Sequence, residues 1–276
     1  MDLSQALEAV SLSDAGMVRS HNEDAVYINP ACGLAILADG MGGYNAGEVA
    51  SGMVTTQLGR ELENILTREE SHPSGRAGRM RDCGILEEEI AEANNAVYRA
   101  AQDQPQYAGM GTTLVMAIFH DNAMTVAHVG DSRLYLSRGE ELRQLTRDHS
   151  LLQEQMDSGI LTAEQARNSQ NKNLVTRAVG VDPFVEPEIR TYDTRPGDIY
   201  LFCSDGLNDM VEDEEIGMTL RMLSANIEIA ATQLVQMAND NGGRDNVSVI
   251  LVKIKSIYPA PGAGGGWLAK LLAWFK

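Results

Sequence analysis

Five short stretches of the sequence set an acid at the tip of an apolar run. Asn22-Glu23-Asp24 precedes the run 25–28, and Gly243-Arg244-Asp245-Asn246 precedes 247–252. Asp39-Gly40 follows 36–38, Gly130-Asp131 follows 127–129, and Asp205-Gly206 follows 201–204. In an antiparallel sheet the start of one strand lies beside the end of its neighbour, so all five acids can gather on one edge. Carboxylates crowded in that way do not all stay ionised without cations. A single Asp-Gly pair is an ordinary turn; the set of five is what points to bound metal. Hard oxygen ligands select magnesium, manganese or calcium over zinc. The five histidines, His21, His72, His120, His128 and His149, show no metal-ligand spacing. Two close divalent ions can activate a water and hold the oxygens of an ester undergoing displacement. Phosphate monoesters, whose spontaneous hydrolysis is extremely slow, suit such a centre. Arg19, just before the first acidic cluster, offers a planar fork for phosphate oxygens.

The elements that must position these acids are legible as short branched runs. Strands are expected over 112–119, 124–129, 198–203 and 247–254. Helices are expected over 46–65, 85–101, 213–223 and 227–239. In the first, Val49, Ala50, Met53, Val54, Leu58, Leu62 and Ile65 recur at helical spacing, and Asn45 with Glu48 resembles a capping pair. Two blocks of strands with helix pairs between them imply an α+β fold, a sandwich of two antiparallel sheets flanked by helices, not a doubly wound parallel sheet. Residues 67–84, polar and carrying Arg68, Arg76, Arg79 and Arg81, read as a disordered connector. Residues 150–181 read as an insertion beside the acidic edge, either a flap or a surface helical hairpin.

The bulk composition is compatible with this reading. The chain has 276 residues, 43% of them hydrophobic, enough for a substantial core. Its net charge of -17 disfavours nucleic acid and anionic membrane as nonspecific partners, and means that a phosphate ligand needs local cations. Cys32, Cys83 and Cys203 are scattered and odd in number, which leads us to expect a reducing, cytoplasmic setting. No signal peptide or membrane-spanning run is expected. After the linker at 258–266, rich in Pro and Gly, residues 267–276 read WLAKLLAWFK. As a helix this tail would set Trp267, Leu268, Leu271, Leu272 and Phe275 on one stripe, to lie on a membrane, on a partner or on its own domain.

The motifs taken in order resemble a family. Ser13-Asp14-x-Gly16-x-x-Arg19-x-x-Asn22-Glu23-Asp24 is similar to the opening motif of the PPM-type metal-dependent serine/threonine protein phosphatases, the protein phosphatase 2C family. Ala38-Asp39-Gly40-Met41-Gly42-Gly43, Gly111-Thr112-Thr113, Gly130-Asp131-Ser132-Arg133, Asp148-His149-Ser150, Ser204-Asp205-Gly206-Leu207 and Gly242-Gly243-Arg244-Asp245-Asn246-Val247 follow in the family's order. The short connections and Met41 resemble the bacterial branch. The resemblance implies one phosphatase domain over 1–257 with a flap at about 150–181. It implies two Mn2+ or Mg2+ ions, Asp39 bridging both, the Gly40 carbonyl helping to hold one, and Asp205 and Asp245 holding the other. Glu23 and Asp24 would support the centre, Asp131 would share a third, weaker ion with Asp205, and Arg19 would clamp the phosphate. Asn246 matches the last motif. The implied activity is hydrolysis of phosphoserine and phosphothreonine in proteins by a metal-activated water, by a monomer that reverses a serine/threonine kinase. Where animal members carry a histidine general acid, this chain has Met41; His149 is a weak substitute. Alternatives are a regulatory phosphoprotein recognised as a whole fold, a pseudophosphatase that only binds, and a calcium-binding adhesion module, which lacks its D-x-D-x-D-G loop.

Overall fold

Alternation along the strands sets the layering. The computed structural model describes residues 2–43, 45–68, 74–162, 165 and 174–259. One sheet has the order β1 (Leu7–Asp14), β11 (Val247–Ile254), β10 (Ile199–Cys203), β7 (Arg133–Arg138), β8 (Glu141–Gln144). The other runs β2 (Asp24–Asn29), β3 (Leu34–Met41), β5 (Leu114–His120), β6 (Ala123–Val129), β9 (Glu188–Asp193), with the short β4 (Gly111–Thr112) also paired to β3. Every pairing is antiparallel.

Side chains on successive strand residues point to opposite faces, and both faces of the central strands are buried. On β10, Tyr200 and Phe202 face the other sheet, packing with Leu37, Val115, Phe119 and Ile250. The Phe119 and Tyr200 rings meet edge to face, 5.6 Å apart. Ile199, Leu201 and Cys203 face the other way, onto α5 (Asp213–Met222) and α6 (Ile227–Asp240). The second sheet is covered by α1 (Ala46–Arg68) and α2 (Gly75–Asp103) through Ala50, Val54, Leu58, Leu62, Leu86, Ile90 and Val97. The result is the expected four-layer α/β/β/α sandwich.

Two expectations need correction. Residues 75–84 are not a loop but the first turns of α2. Gly78 and Asp82 are buried there, and Asp82 meets the His120 and Arg81 side chains; tertiary packing overrides weak local propensity. Asp205 does not sit in a plain turn: it opens the short helix α4 (Asp205–Asn208). Within 150–181, α3 (Leu151–Asp157) is helical, with the Ser150 hydroxyl accepting from Gln153 N, and Val175 returns to bridge Ser150. The tail 267–276 lies outside the described residues, and no described helix is long and apolar enough to cross a membrane.

Candidate metal centre

The register brings the acids together as antiparallel pairing requires. Asp24, first in β2, lies directly opposite Asp39 near the end of β3. On the other sheet, Asp205 follows β10 and Asp245 precedes β11, its paired neighbour. Asp131 stands between β6 and β7, the strands that link the two sheets. A cleft of about 370 Å3 is lined by Arg19, Glu23, Asp39, Gly40, Met41, Asp131, Asp205, Asp245 and Asn246, with Leu174 and Val175 at one side. Asp24 lies behind Asp39, outside this lining.

Backbone and hydroxyl contacts hold each acid in place. Asp39 N donates to Thr113 Oγ1 at 3.0 Å, and its carbonyl accepts from Thr113 N and Thr112 Oγ1, each at 2.8 Å. Ser204 Oγ donates to Asp24 Oδ2 at 2.8 Å and accepts from Ser248 N at 3.0 Å. Asn246 ties three segments: its Oδ1 accepts from Glu23 N at 2.8 Å, while its Nδ2 donates to Ala15 O at 3.0 Å and His21 O at 2.9 Å. Its own N donates to Asp245 Oδ1 at 2.9 Å. Two glycines make this packing possible. A Cβ on Gly206 would lie 2.0 Å from Asn246 O, and one on Gly16, whose φ is +76°, would lie 2.2 Å from Asp245 O.

The electrostatics are those of a cluster short of cations. Burial, then the charges of Asp24, Asp205, Asp131 and Asp245, push Asp39 well above the usual carboxylate range. Asp205 is raised by burial and by Asp131, Asp209 and Asp245. Burial lifts Asp24 to about 6, with the Ser248 and Ser204 hydrogen bonds opposing it. Burial and then Asp148 lift Asp131 to about 6. Glu23 is raised by burial, against the pull of Arg19. Buried Glu23 Oε1 and Asp24 Oδ1 have no hydrogen-bond partner. Arg19, the one guanidinium among the described lining residues, is half exposed and donates to Asp245 Oδ2 at 2.7 Å. Donors that are all oxygens, several of them unmatched, fit hard divalent ions.

His149 does not line the cleft. Its Nδ1 accepts from Gly130 N at 3.2 Å, its ring stacks on His128 with centroids 4.7 Å apart, and burial lowers it to about 4. His128, His149 and Glu188 stand close together, with His128 Nε2 hydrogen-bonded to Arg147 O at 2.8 Å. Spacing alone did not single out Thr113, Ser132, Ser204 or Ser248; their hydroxyls became visible as supports only once the strands were paired.

Comparison with known proteins agrees with this geometry. Residues 17–247 match the family model for protein phosphatase 2C. The serine/threonine protein phosphatase PstP of Mycobacterium tuberculosis is 37% identical over 248 residues, 90% of this chain, and the chain spans only 45% of that protein's length. The serine/threonine phosphatase stp of Listeria innocua is 39% identical over 250 residues, 87% of this chain and 93% of that protein. The crystal structure of the PstP catalytic domain in complex with two manganese ions has a TM-score of 0.79 and 37% identity, covering 91% of this chain and 99% of that one. The sandwich, the ordered acidic motifs and these likenesses agree: the chain belongs to the protein phosphatase 2C family.

Proposed function

We propose that the cleft hydrolyses phosphoserine and phosphothreonine esters in proteins, with two manganese or magnesium ions, and so reverses a serine/threonine kinase. The observation that carries this is the convergence of Asp39, Asp131, Asp205 and Asp245, from strand ends of both sheets, on one cleft with Arg19 at its rim. Asp39, the Gly40 carbonyl, Asp205 and Asp245 would hold the ions, with Glu23 and Asp24 behind them and Asp131 beside Asp205 for a third. Bound there, such ions polarise the phosphoryl oxygens and lower the pKa of an attacking water.

The chain's own residues do the rest. Arg19 leaves Asp245 to engage the phosphoryl oxygens, since its fork matches them bidentately. Asn246 fixes the loop that carries Arg19 and Glu23 against Asp245. The Thr112 and Thr113 hydroxyls hold Asp39 at one end of the cleft. Met41 lines the cleft and has no proton to give, and no imidazole is among the described lining residues; the departing oxygen takes its proton from solvent in the open cleft. No cysteine lines it either, consistent with direct hydrolysis without a covalent phosphoenzyme. Residues 150–181 act as a flap that meets the substrate through Leu174 and Val175. The enzyme works as a monomer over residues 1–257 in the cytoplasm, where Cys32, Cys83 and Cys203 stay as the free thiols they are here.

Phosphate release from a phosphothreonine peptide should depend on added manganese. Asp39→Asn should lower kcat by roughly 10³-fold, a barrier change of about 4 kcal/mol. Unchanged turnover in that variant would remove the assigned centre.

A further inference from the structure

The loop that carries Asp131 leaves the second sheet at Gly130, just past the end of β6. The backbone there takes φ +101°, and a Cβ would lie 2.8 Å from the Thr113 side chain, so the position needs glycine. Gly130 is buried, and one residue from further along the chain meets both its polar groups. His149 N donates to Gly130 O at 2.9 Å, and Gly130 N donates to His149 Nδ1 at 3.2 Å. Two residues paired across a sheet exchange two backbone bonds in the same way. Here an imidazole nitrogen replaces one carbonyl.

The same residue reaches the other wall of the cleft. Thr176 N donates to His149 O at 2.8 Å, Leu151 N donates to Leu174 O at 2.9 Å, and Ser150 bridges Val175. Leu174 and Val175 line the cleft, as Asp131 does. At the far end of this segment, Val179 N donates to Thr112 O at 2.8 Å and Thr112 N to Val179 O at 3.0 Å. The wall over 174–179 is therefore tied at one end to Thr112, which supports Asp39, and at the other to His149.

The ring is set up for this task. A backbone N–H donates to a lone pair, so Nδ1 is the bare nitrogen and Nε2 carries the proton. Nε2 is buried with no hydrogen-bond partner, and Glu188 Oε2 lies 3.9 Å away. Burial keeps the ring neutral, which preserves the lone pair on Nδ1. The stacked His128 ring holds its plane.

We propose that His149 is a positioning residue for the reaction, its Nδ1 and backbone setting the place of the Asp131 carboxylate together with that of the wall at Leu174 and Val175. It touches neither substrate nor ion. Without the acceptor, the Gly130 N–H is buried and unmatched, and the loop relieves this by turning it toward another partner. Asp131, the next residue, turns with it. The proposal rests on the reading of the cleft as a phosphatase centre in which Asp131 and Asp205 hold a third, weaker ion.

The test uses the full chain and two substitutions. His149→Leu keeps most of the volume and removes the acceptor; His149→Asn puts an amide oxygen where Nδ1 stood. Manganese titration by calorimetry should show the weakest ion bound roughly tenfold less tightly in His149→Leu, with the tighter ions unchanged. KM for a phosphothreonine peptide should rise in the same variant, and KM for p-nitrophenyl phosphate, which has no chain to meet the wall, should not. His149→Asn should restore both values close to those of the parent. On the parent itself, nitrogen-15 spectra should show His149 protonated at Nε2 alone; a proton on Nδ1 would overturn the proposal even if neither variant folds. Folded His149→Leu with parental ion binding and peptide KM would overturn it, whatever its Tm, because the role would then be structural only. His149→Asn as impaired as His149→Leu would overturn it in favour of ring packing. A parent that binds no third ion would overturn the Asp131 half and leave the wall half to the peptide KM. A parent inactive on every phosphopeptide would sink the catalytic reading, while the spectra and the ion affinities would still decide the positioning of Asp131.

Discussion

The two ends of the same strands treat aspartate in opposite ways. At the exit end, Asp198 is almost fully buried, and its charge is matched within the protein. Arg138 grips both its oxygens at 2.7 Å, Arg195 N donates to Oδ2 at 2.7 Å, and Tyr200 OH approaches the same oxygen at 3.3 Å. At the cleft end, Asp24, Asp39, Asp131 and Asp205 raise one another's pKa, with hydroxyls and backbone N–H groups but only one guanidinium among the described lining residues. A buried carboxylate with a forked cation and further donors is a finished structural part. A cluster left short of positive charge is an unfinished one, and what completes it must come from outside. The difference separates the part of the molecule that keeps the fold from the part that spends stability on function.

The contrast can be broken first at its finished end. Arg138→Ala leaves Asp198 buried and unmatched, which should cost about 3 kcal/mol and lower Tm by roughly 10 °C. Turnover per folded molecule should not change; a Tm within a degree of the parent would show that the pair is dispensable.

At the unfinished end, the sign of the pH dependence is the test. Folding raises the pKa of Asp24 and Asp131 to about 6, and lifts Asp39 and Asp205 well above the usual carboxylate range. Each therefore holds its proton more tightly folded than unfolded. That stability is complete below the unfolded value near 4 and is lost as pH rises through and beyond 6. His128 and His149 are lowered by burial and act in the opposite sense, gaining stability as pH rises through the unfolded value near 6.5. Tm measured in chelator should fall as pH rises through about 6, the four carboxylates outnumbering the two histidines, and saturating manganese should flatten the slope. A flat profile in chelator would mean that the carboxylates are not in conflict.

The smallest effect sharpens the picture within the cluster. Ser204→Ala removes the hydroxyl that donates to Asp24 and accepts from Ser248 N. It should cost about 1 kcal/mol and weaken manganese binding by a few-fold, read by calorimetry. A loss as large as that of Arg138→Ala would blur the distinction between the two ends.

Much of this was legible in the sequence, for a physical reason. Acids at strand tips need only antiparallel pairing to converge, and apolar runs such as 112–119 and 247–254 announce their strands directly. β9, Glu-Ile-Arg-Thr-Tyr-Asp, did not announce itself, because it is an edge strand with no continuous apolar run. The start of α2 was misread because Gly75, Gly78 and several arginines weaken its local signal. What makes it helical is packing on the second sheet, where Asp82 meets His120 at the end of β5. Asp39, Asp205 and Asp245 were located by type and spacing. Thr113 and Ser204 stood in the motifs without a role and Ser248 was not singled out, because a hydroxyl at or beside a strand end has no periodicity that separates a support from a surface residue. His149 drew notice through its motif, yet it holds Gly130 in place behind the site.

The pairing of β1 with β11 zips the first strand to the last, across some 240 residues of sequence. Asp245 enters its sheet only with that final strand, so a ribosome-bound chain that has made Asp39 and Asp205 still lacks a wall of its cleft. Long-range closure of this kind is slow compared with helix formation. The wall of the cleft that carries Asp245 is therefore completed only when β11 has been made and has paired with β1.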